Sequence, residues 1–313
     1  MHAVLSILLP IFGLILLGYG CGLKGWLGAG ATDSLNRFVV RLALPAELFL
    51  SMAGVSRTQI DHPAFLVAFA GGMLATCAVG FLLDWRRPAM RTHRMAGATI
   101  EGLAAGYANT AFIGIPLCLG VFGPAGLPPV VLATLLTVCA LFALAIALVE
   151  LDLQAGDGAG VLWRVAGAVL RNPLVAAPLA GMLVNALGVG VDAPVLHLLT
   201  LLAGAASPCA LVTIGLFLAE TRSIPASGVA VARVVALKLL LQPAITAALA
   251  FEILRLPLLW AQSAVLISAL PIGTGPFMLA RLYDREAGIA SRATLISTVL
   301  SLITVSLLLA WIT

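Results

Sequence analysis

Charge is what this sequence has least of. Asp, Glu, Lys and Arg make up only 10% of its 313 residues and mean hydropathy is +1.13, whereas about a quarter of a soluble domain is charged. Between its apolar runs no polar stretch is long enough for a separate soluble domain. Catalytic signatures are missing too: no His-Glu-x-x-His stretch, no Gly-x-Ser-x-Gly elbow, no phosphate-cradling glycine loop and no Asp-rich pair for magnesium. An enzyme is therefore not expected, nor a bound cofactor. Five cysteines, Cys21, Cys77, Cys118, Cys139 and Cys209, lie within apolar runs or at their ends without paired spacing, so neither a disulfide nor a metal site is expected. The pI of about 9.0 comes from basic residues spread over short loops, which argues against a nucleic-acid partner.

What is present is apolar length. Ten runs recur, at 3–22, 34–54, 64–83, 95–122, 127–149, 163–187, 195–219, 228–251, 258–281 and 290–312. Each has the roughly 20 residues that a helix needs to cross a bilayer. The expected fold is an all-α membrane protein of ten transmembrane helices. Only His2 precedes the first run and no small-residue cleavage site follows it, so a signal peptide is not expected. Sorting Lys and Arg by span ends places 14 on one side, against Arg57 and Arg255 on the other and Lys238 inside a span. The positive-inside rule makes the first side cytoplasmic and puts both termini outside it, as expected for a multi-pass protein of a plasma (bacterial inner) membrane.

The two halves, 1–150 and 160–313, share their helix-distorting residues. Pro10, Gly18 and Pro45 match Pro173, Gly181 and Pro208 at a shift of 163, while Pro116 matches Pro276 at a shift of 160. Ala133–Thr137 matches Ala293–Ser297 at that second shift. Five spans per half is an odd number, so the second repeat enters the membrane inverted. Within this plan "YANTAFIGIP" at 107–116 and "LPIGTGPFMLA" at 270–280 occupy corresponding spans, four and nine. Pro116 and Pro276 lack the N–H of a continuous helix, and Gly114, Gly273 and Gly275 lower the cost of leaving one. Unwound backbone at membrane depth is tolerated only inside protein or beside a watery cavity. Both helices are therefore expected to break and cross, exposing half-helix N-termini that favour an anion.

"YANTAFIGIPL" and "ALPIGTGPFMLARLYD", with "LPIFGLILLGYGCGLKGWL" near the start and "RLALPAELFLSM" at 41–52, resemble the auxin efflux carrier family of membrane transporters, particularly its malonate-transporter-like bacterial branch. The resemblance covers essentially the whole chain. It implies two inverted five-helix repeats, a dimerising scaffold of spans one, two, six and seven, and a moving transport domain of spans three to five and eight to ten. It also implies a small organic anion bound at the crossover, between Asn109–Pro116 and Pro271–Pro276. Some relatives carry Asn beside the second proline, where this sequence has Gly275.

The polar residues within spans each carry alternatives. Asn109, Thr110 and Thr274 offer hydrogen bonds to a carboxylate, or tie helices together. Lys238, ten residues into span eight with Gln242 one turn on, replaces a coupling sodium ion or balances the substrate; the other reading pairs it with Glu47 or Glu101. Glu47 and Glu101 are candidate proton carriers, Glu101 alternatively snorkelling or pairing with Arg94. Thr134, Thr137, Thr294, Ser297 and Ser301 read as packing surfaces, and Pro45 and Pro208 as kinks. Without a phosphate loop, pumping draws on a proton or sodium gradient or runs downhill. The expected function is secondary transport of small organic anions, a dicarboxylate such as malonate first, by alternating access. Two alternatives stand: a sodium-coupled symporter of the bile-acid type and a non-transporting sensor.

Overall fold

The computed structural model describes residues 2–54, 61–86, 93–153, 167, 171, 173–221, 226–283, 285 and 287–312. Arg57, Arg87, Arg91, Arg164 and Arg222, used above for orientation, lie outside the described residues. All extended structure among the described residues is one isolated bridge; the rest is helix and connection. Five helical stretches are long and apolar enough to cross a membrane: Pro63–Trp85, Thr110–Leu153, Ala193–Glu220, Gly228–Ile253 and Gly288–Ile312. Shorter apolar helices accompany them at Leu8–Lys24, Pro173–Leu187 and Leu258–Ser268. The protein is an all-α, multi-pass membrane bundle.

The chain divides into two compact units. The first comprises Met1–His62, Thr110–Leu135 and Leu170–Glu220, and the second Pro63–Asn109, Leu136–Val169 and Thr221–Thr313. In the first unit are α1 (His2–Lys24), α2 (Ala31–Phe38), α3 (Leu44–Ala53), α6 (Ile115–Phe122), α7 (Leu127–Leu135), α9 (Pro173–Leu187) and α10 (Ala193–Thr221). The second holds α4 (Pro63–Trp85), α5 (Arg94–Gly106), α8 (Phe142–Leu153), α11 (Gly228–Ala236), α12 (Gln242–Ala247), α13 (Leu258–Ser268), α14 (Gly275–Leu282) and α15 (Gly288–Ile312).

Apolar side chains gain little by leaving lipid for protein, so helices in a membrane associate where small residues let backbones approach. Both units are built that way. In the first, Gly18 and Gly22 of α1 lie against α10, where a Cβ at Gly22 would come within 2.7 Å of Ala219 Cβ. Gly181 of α9 likewise sits on the Phe49 carbonyl of α3, and Asn185 Nδ2 donates to Ala53 O at 2.8 Å. In the second, Gly80 of α4 meets Gly102 and Ala105 of α5, and Gly102 sits on the Cys77 carbonyl. Beside that seam α11 contributes Ala230, Val231, Val234 and Val235 to a buried cluster with Ala104, Ile272, Ile289 and Ala293.

Prolines leave a recurring mark. Single π-helical turns occur at Val39–Ala43, Thr110–Gly114 and Leu237–Leu241, each followed two residues later by a proline: Pro45, Pro116 and Pro243. A proline supplies no N–H to the carbonyl one turn earlier and its ring crowds it, and widening the preceding turn relieves both. Pro45, expected as a kink, is thus accommodated by a π turn, whereas Pro208 lies inside α10. Among the described residues Cys21, Cys77, Cys118 and Cys209 are free thiols; the Cys139 side chain lies outside the described residues.

Candidate functional site: a backbone crossover in the second unit

Helix α5 ends at Gly106. Tyr107 takes φ −85°, ψ 94° while its N–H still closes the last turn on Leu103 O at 2.9 Å. Helix α13 ends at Ser268, and α14 begins only at Gly275 with Pro276 in its first turn. The two unwound segments run antiparallel and pair through a bridge between Ala108 and Ile272. Asn109 N donates to Pro271 O at 2.9 Å and Gly273 N to Tyr107 O at 3.0 Å. Four backbone groups that the breaks would orphan thereby satisfy one another.

Two further groups are satisfied from other helices. In an unbroken helix Ile272 N–H would bond the Ser268 carbonyl, four residues back. Instead Ile272 N donates to Ser297 Oγ of α15 at 3.1 Å, and Ser268 O accepts from Lys238 Nζ at 2.6 Å. Lys238 is fully buried. Its ammonium therefore caps the C-terminal end of α13, the end whose exposed carbonyls favour a cation. Gln242, one turn on, is also fully buried, and neither atom of its amide has a hydrogen-bond partner among the described residues. Thr246 Oγ1 and Ser263 Oγ share that condition.

Tyr107 is a residue that the sequence did not single out. Its ring lies over the second crossover segment: a Cβ on Gly273 would come within 2.9 Å of it, and one on Gly275 within 2.6 Å. Neither glycine has a positive φ, so both are there for space and not for a left-handed backbone. The ring also meets Phe142 edge-on, with centroids 6.1 Å apart. An Asn at 275, as in some relatives of the resembling family, would collide with this ring. Ser297 was likewise read as packing only; a hydroxyl on an apolar helix carries no sequence signal that a backbone N–H will need it.

The structure thus brings Asn109, Pro271, Gly273, Thr274, Gly275 and Pro276 together at the crossing, with Lys238 one bond away through Ser268 and Gln242 a turn beyond. Asn109 is 5% exposed. Thr274 precedes α14 without capping it. Of the first-turn positions of α14, Pro276 has no N–H; the Gly275 N–H, as at any helix start, has no acceptor within the helix and lies with Asn109 at the crossing. Thr110, Gly114 and Pro116 continue the same chain as the π turn and first turn of α6, and both they and Glu47 belong to the first unit. Glu47 Oε2 has no hydrogen-bond partner among the described residues.

Glu101 corrects an expectation. It lies 4% exposed and so does not snorkel, and its carboxylate is held by Arg233 Nη2 of α11, a partner not anticipated. The same nitrogen stands 3.8 Å from Asp84 Oδ1 of α4. Lys238 consequently serves the α13 carbonyl and not Glu101. Arg94 stacks over the Trp85 ring at 5.0 Å. Two cavities of the second unit, each of about 410 Å³, lie away from the crossing. One is lined by residues such as Leu74, Phe81, Leu103 and Leu144, the other by Val231, Leu239 and Leu300.

A family model described as membrane transport protein matches residues 3–157 and 161–309. The chain belongs to that family. A protein of Rhizobium meliloti (strain 1021) named "Putative malonate transporter" is 31% identical over 316 residues, covering 99% of this chain and 96% of the relative. An "Uncharacterized transporter" of Methanothermobacter thermautotrophicus is 28% identical over 311 residues, 98% of this chain and 96% of the relative. "Uncharacterized transporter YfdV" of Escherichia coli (strain K12) is 26% identical over 217 residues, 68% of each chain. This membrane transport protein is accordingly a transporter of the auxin efflux carrier type, moving small molecules across a membrane as a secondary transporter and not as an enzyme. Among the described residues no three His, Cys, Asp or Glu side chains gather to hold a metal ion.

Proposed function

We propose that this membrane transport protein carries small organic anions, a mono- or dicarboxylate such as malonate, bound at the crossover of residues 107–109 and 270–276. The observation that carries this reading is the antiparallel pairing of two broken helices, which sets the Gly275 N–H at the start of α14 and the buried Asn109 side chain at one crossing. Such donors match a carboxylate, and a charge-assisted bond to one is worth about 1.5–3 kcal/mol. The relative from Rhizobium meliloti, similar over nearly its whole length, supports malonate as the first substrate to test. Transport proceeds by alternating access: spans three to five and eight to ten carry the site past a homodimeric scaffold of spans one, two, six and seven. The chain sits in a plasma membrane with both termini outside the cytoplasm.

The test is a thermal-shift screen of purified protein against mono- and dicarboxylates, followed by uptake into proteoliposomes. Malonate or a close homologue should stabilise the wild-type protein, and Asn109→Ala should weaken that binding about ten- to a hundredfold. Equal affinity in the variant would remove Asn109 from the site, and no stabilisation by any carboxylate would remove the anion assignment. Titrating sodium and proton gradients during uptake identifies the coupling ion, strict sodium dependence marking a symporter of the bile-acid type.

A further inference from the structure

The ring of Tyr107 occupies the volume that a side chain at position 273 or 275 would fill. Two residues before Asn109 on the same extended segment, Tyr107 accepts Gly273 N–H on its own carbonyl while its ring packs on Gly273 and Gly275. Backbone pairing therefore fixes the main chain that carries the ring. Phe142 of α8 holds the ring edge-on, and Tyr107 is only partly buried, unlike Ala108 and Asn109 beside it. The wall next to the start of α14 is thus one aromatic ring of a partly buried residue, laid against two glycines that have no side chains of their own.

We infer that Tyr107 is a specificity-determining residue of the crossover, whose ring limits the site to short aliphatic carboxylates and excludes anions carrying a bulky group next to the carboxylate. The inference rests on the anion site proposed above and adds to it a size limit and the residue that sets it. A ring held on one side by two glycines and on another by Phe142 cannot retreat without displacing backbone, so a bulky substituent meets a fixed wall. A short chain such as malonate places its carboxylate at the start of α14 beside Gly275 and reaches no further.

Isothermal calorimetry of the purified full-length protein with malonate and with benzylmalonate tests this, since the two share both carboxylates and differ by one aromatic substituent. Wild type should bind benzylmalonate about tenfold or more weakly than malonate. In Tyr107→Ala the gap should close to within about threefold, chiefly through tighter benzylmalonate binding. Tyr107→Phe, which keeps the ring, should retain the wild-type ratio, and Tyr107→Leu provides an intermediate bulk should the alanine variant not fold. If wild type binds both alike, or if Tyr107→Ala and Tyr107→Leu keep the wild-type ratio, the inference is overturned while the anion site stands. If neither diacid binds wild type while other carboxylates stabilise it, the size limit falls alone. If no carboxylate binds at all, the proposed function falls and takes this inference with it.

Discussion

Gly275→Ala tests the crossing itself, because its sign depends on whether Tyr107 lies where the structure puts it. Gly275 opens α14, with a backbone that needs no positive φ. At such a position alanine is favoured over glycine by up to about 1 kcal/mol through helix propensity alone. Here the added methyl would stand 2.6 Å from Tyr107 Cζ and 2.9 Å from its Cε1 and Oη. Ordinary contact begins about 0.8 Å further out, and the ring is backed by Phe142. Overpacking of this kind costs about 1–3 kcal/mol, so the net effect in wild type is destabilising or close to neutral. In a Tyr107→Ala background the obstacle is gone and the same substitution should stabilise by about 0.5–1 kcal/mol. The double-mutant coupling energy is then about 1–3 kcal/mol, the size expected of residues in contact. Thermal or denaturant unfolding of the four proteins in one detergent measures it. If alanine at 275 stabilises both backgrounds equally, the ring is not on the second segment and the crossing described above is wrong.

Three other substitutions have defined outcomes. Lys238→Met leaves the Ser268 carbonyl without its donor, at about 1–3 kcal/mol, but removes an ammonium whose burial at membrane depth itself costs about 2.5–3.5 kcal/mol. Global melting should therefore move little, while the amides of 269, 270 and 272–274 exchange hydrogen faster; unchanged exchange there would show that the cap is dispensable. Arg233→Leu strips the guanidinium from Glu101 and Asp84 and should lower stability by about 3–5 kcal/mol, much of it recovered when Glu101→Leu is added. Additive losses in that pair would deny the ion pair. Ser297→Ala leaves the buried Ile272 N–H unpaired at about 1–3 kcal/mol, and an unfolding midpoint equal to wild type would show that another acceptor takes its place.

The membrane class and the position of the second break were legible in the sequence because they depend on local properties, apolar length for the spans and Pro276 with Gly273 and Gly275 for the break; the first break was expected over Asn109–Pro116 and lies at Tyr107–Asn109, while Gly114 and Pro116 sit in a π turn and the helix that follows it. Each of those residues lowers helix stability where it stands, whatever lies around it. Asn109 was legible for a similar reason, as a polar residue inside an apolar run. What fills the gaps was not legible. Ser297 lies 25 residues beyond Ile272, and Lys238 lies 30 before Ser268; both become partners only once the chain has folded back on itself. One of the two readings of Lys238 made it half of an ion pair, because a buried charge normally seeks its opposite. It finds instead the negative end of a broken helix, which is an opposite charge that no single residue spells out.

That distinction bears on how the crossing works. A break deep in a bundle frees N–H and C=O groups in equal number, and leaving all of them unpaired would cost far more than the few kcal/mol by which proteins are stable. At the crossing three carbonyls are served: Ser268 O by Lys238, Tyr107 O by Gly273 and Pro271 O by Asn109. On the donor side Ile272 N is matched by Ser297. The Gly275 N–H, at the start of α14, has no acceptor within its own helix. In the function proposed above, selectivity for anions rests on which orphaned backbone groups the surrounding helices satisfy, more than on any cationic side chain aimed at the substrate.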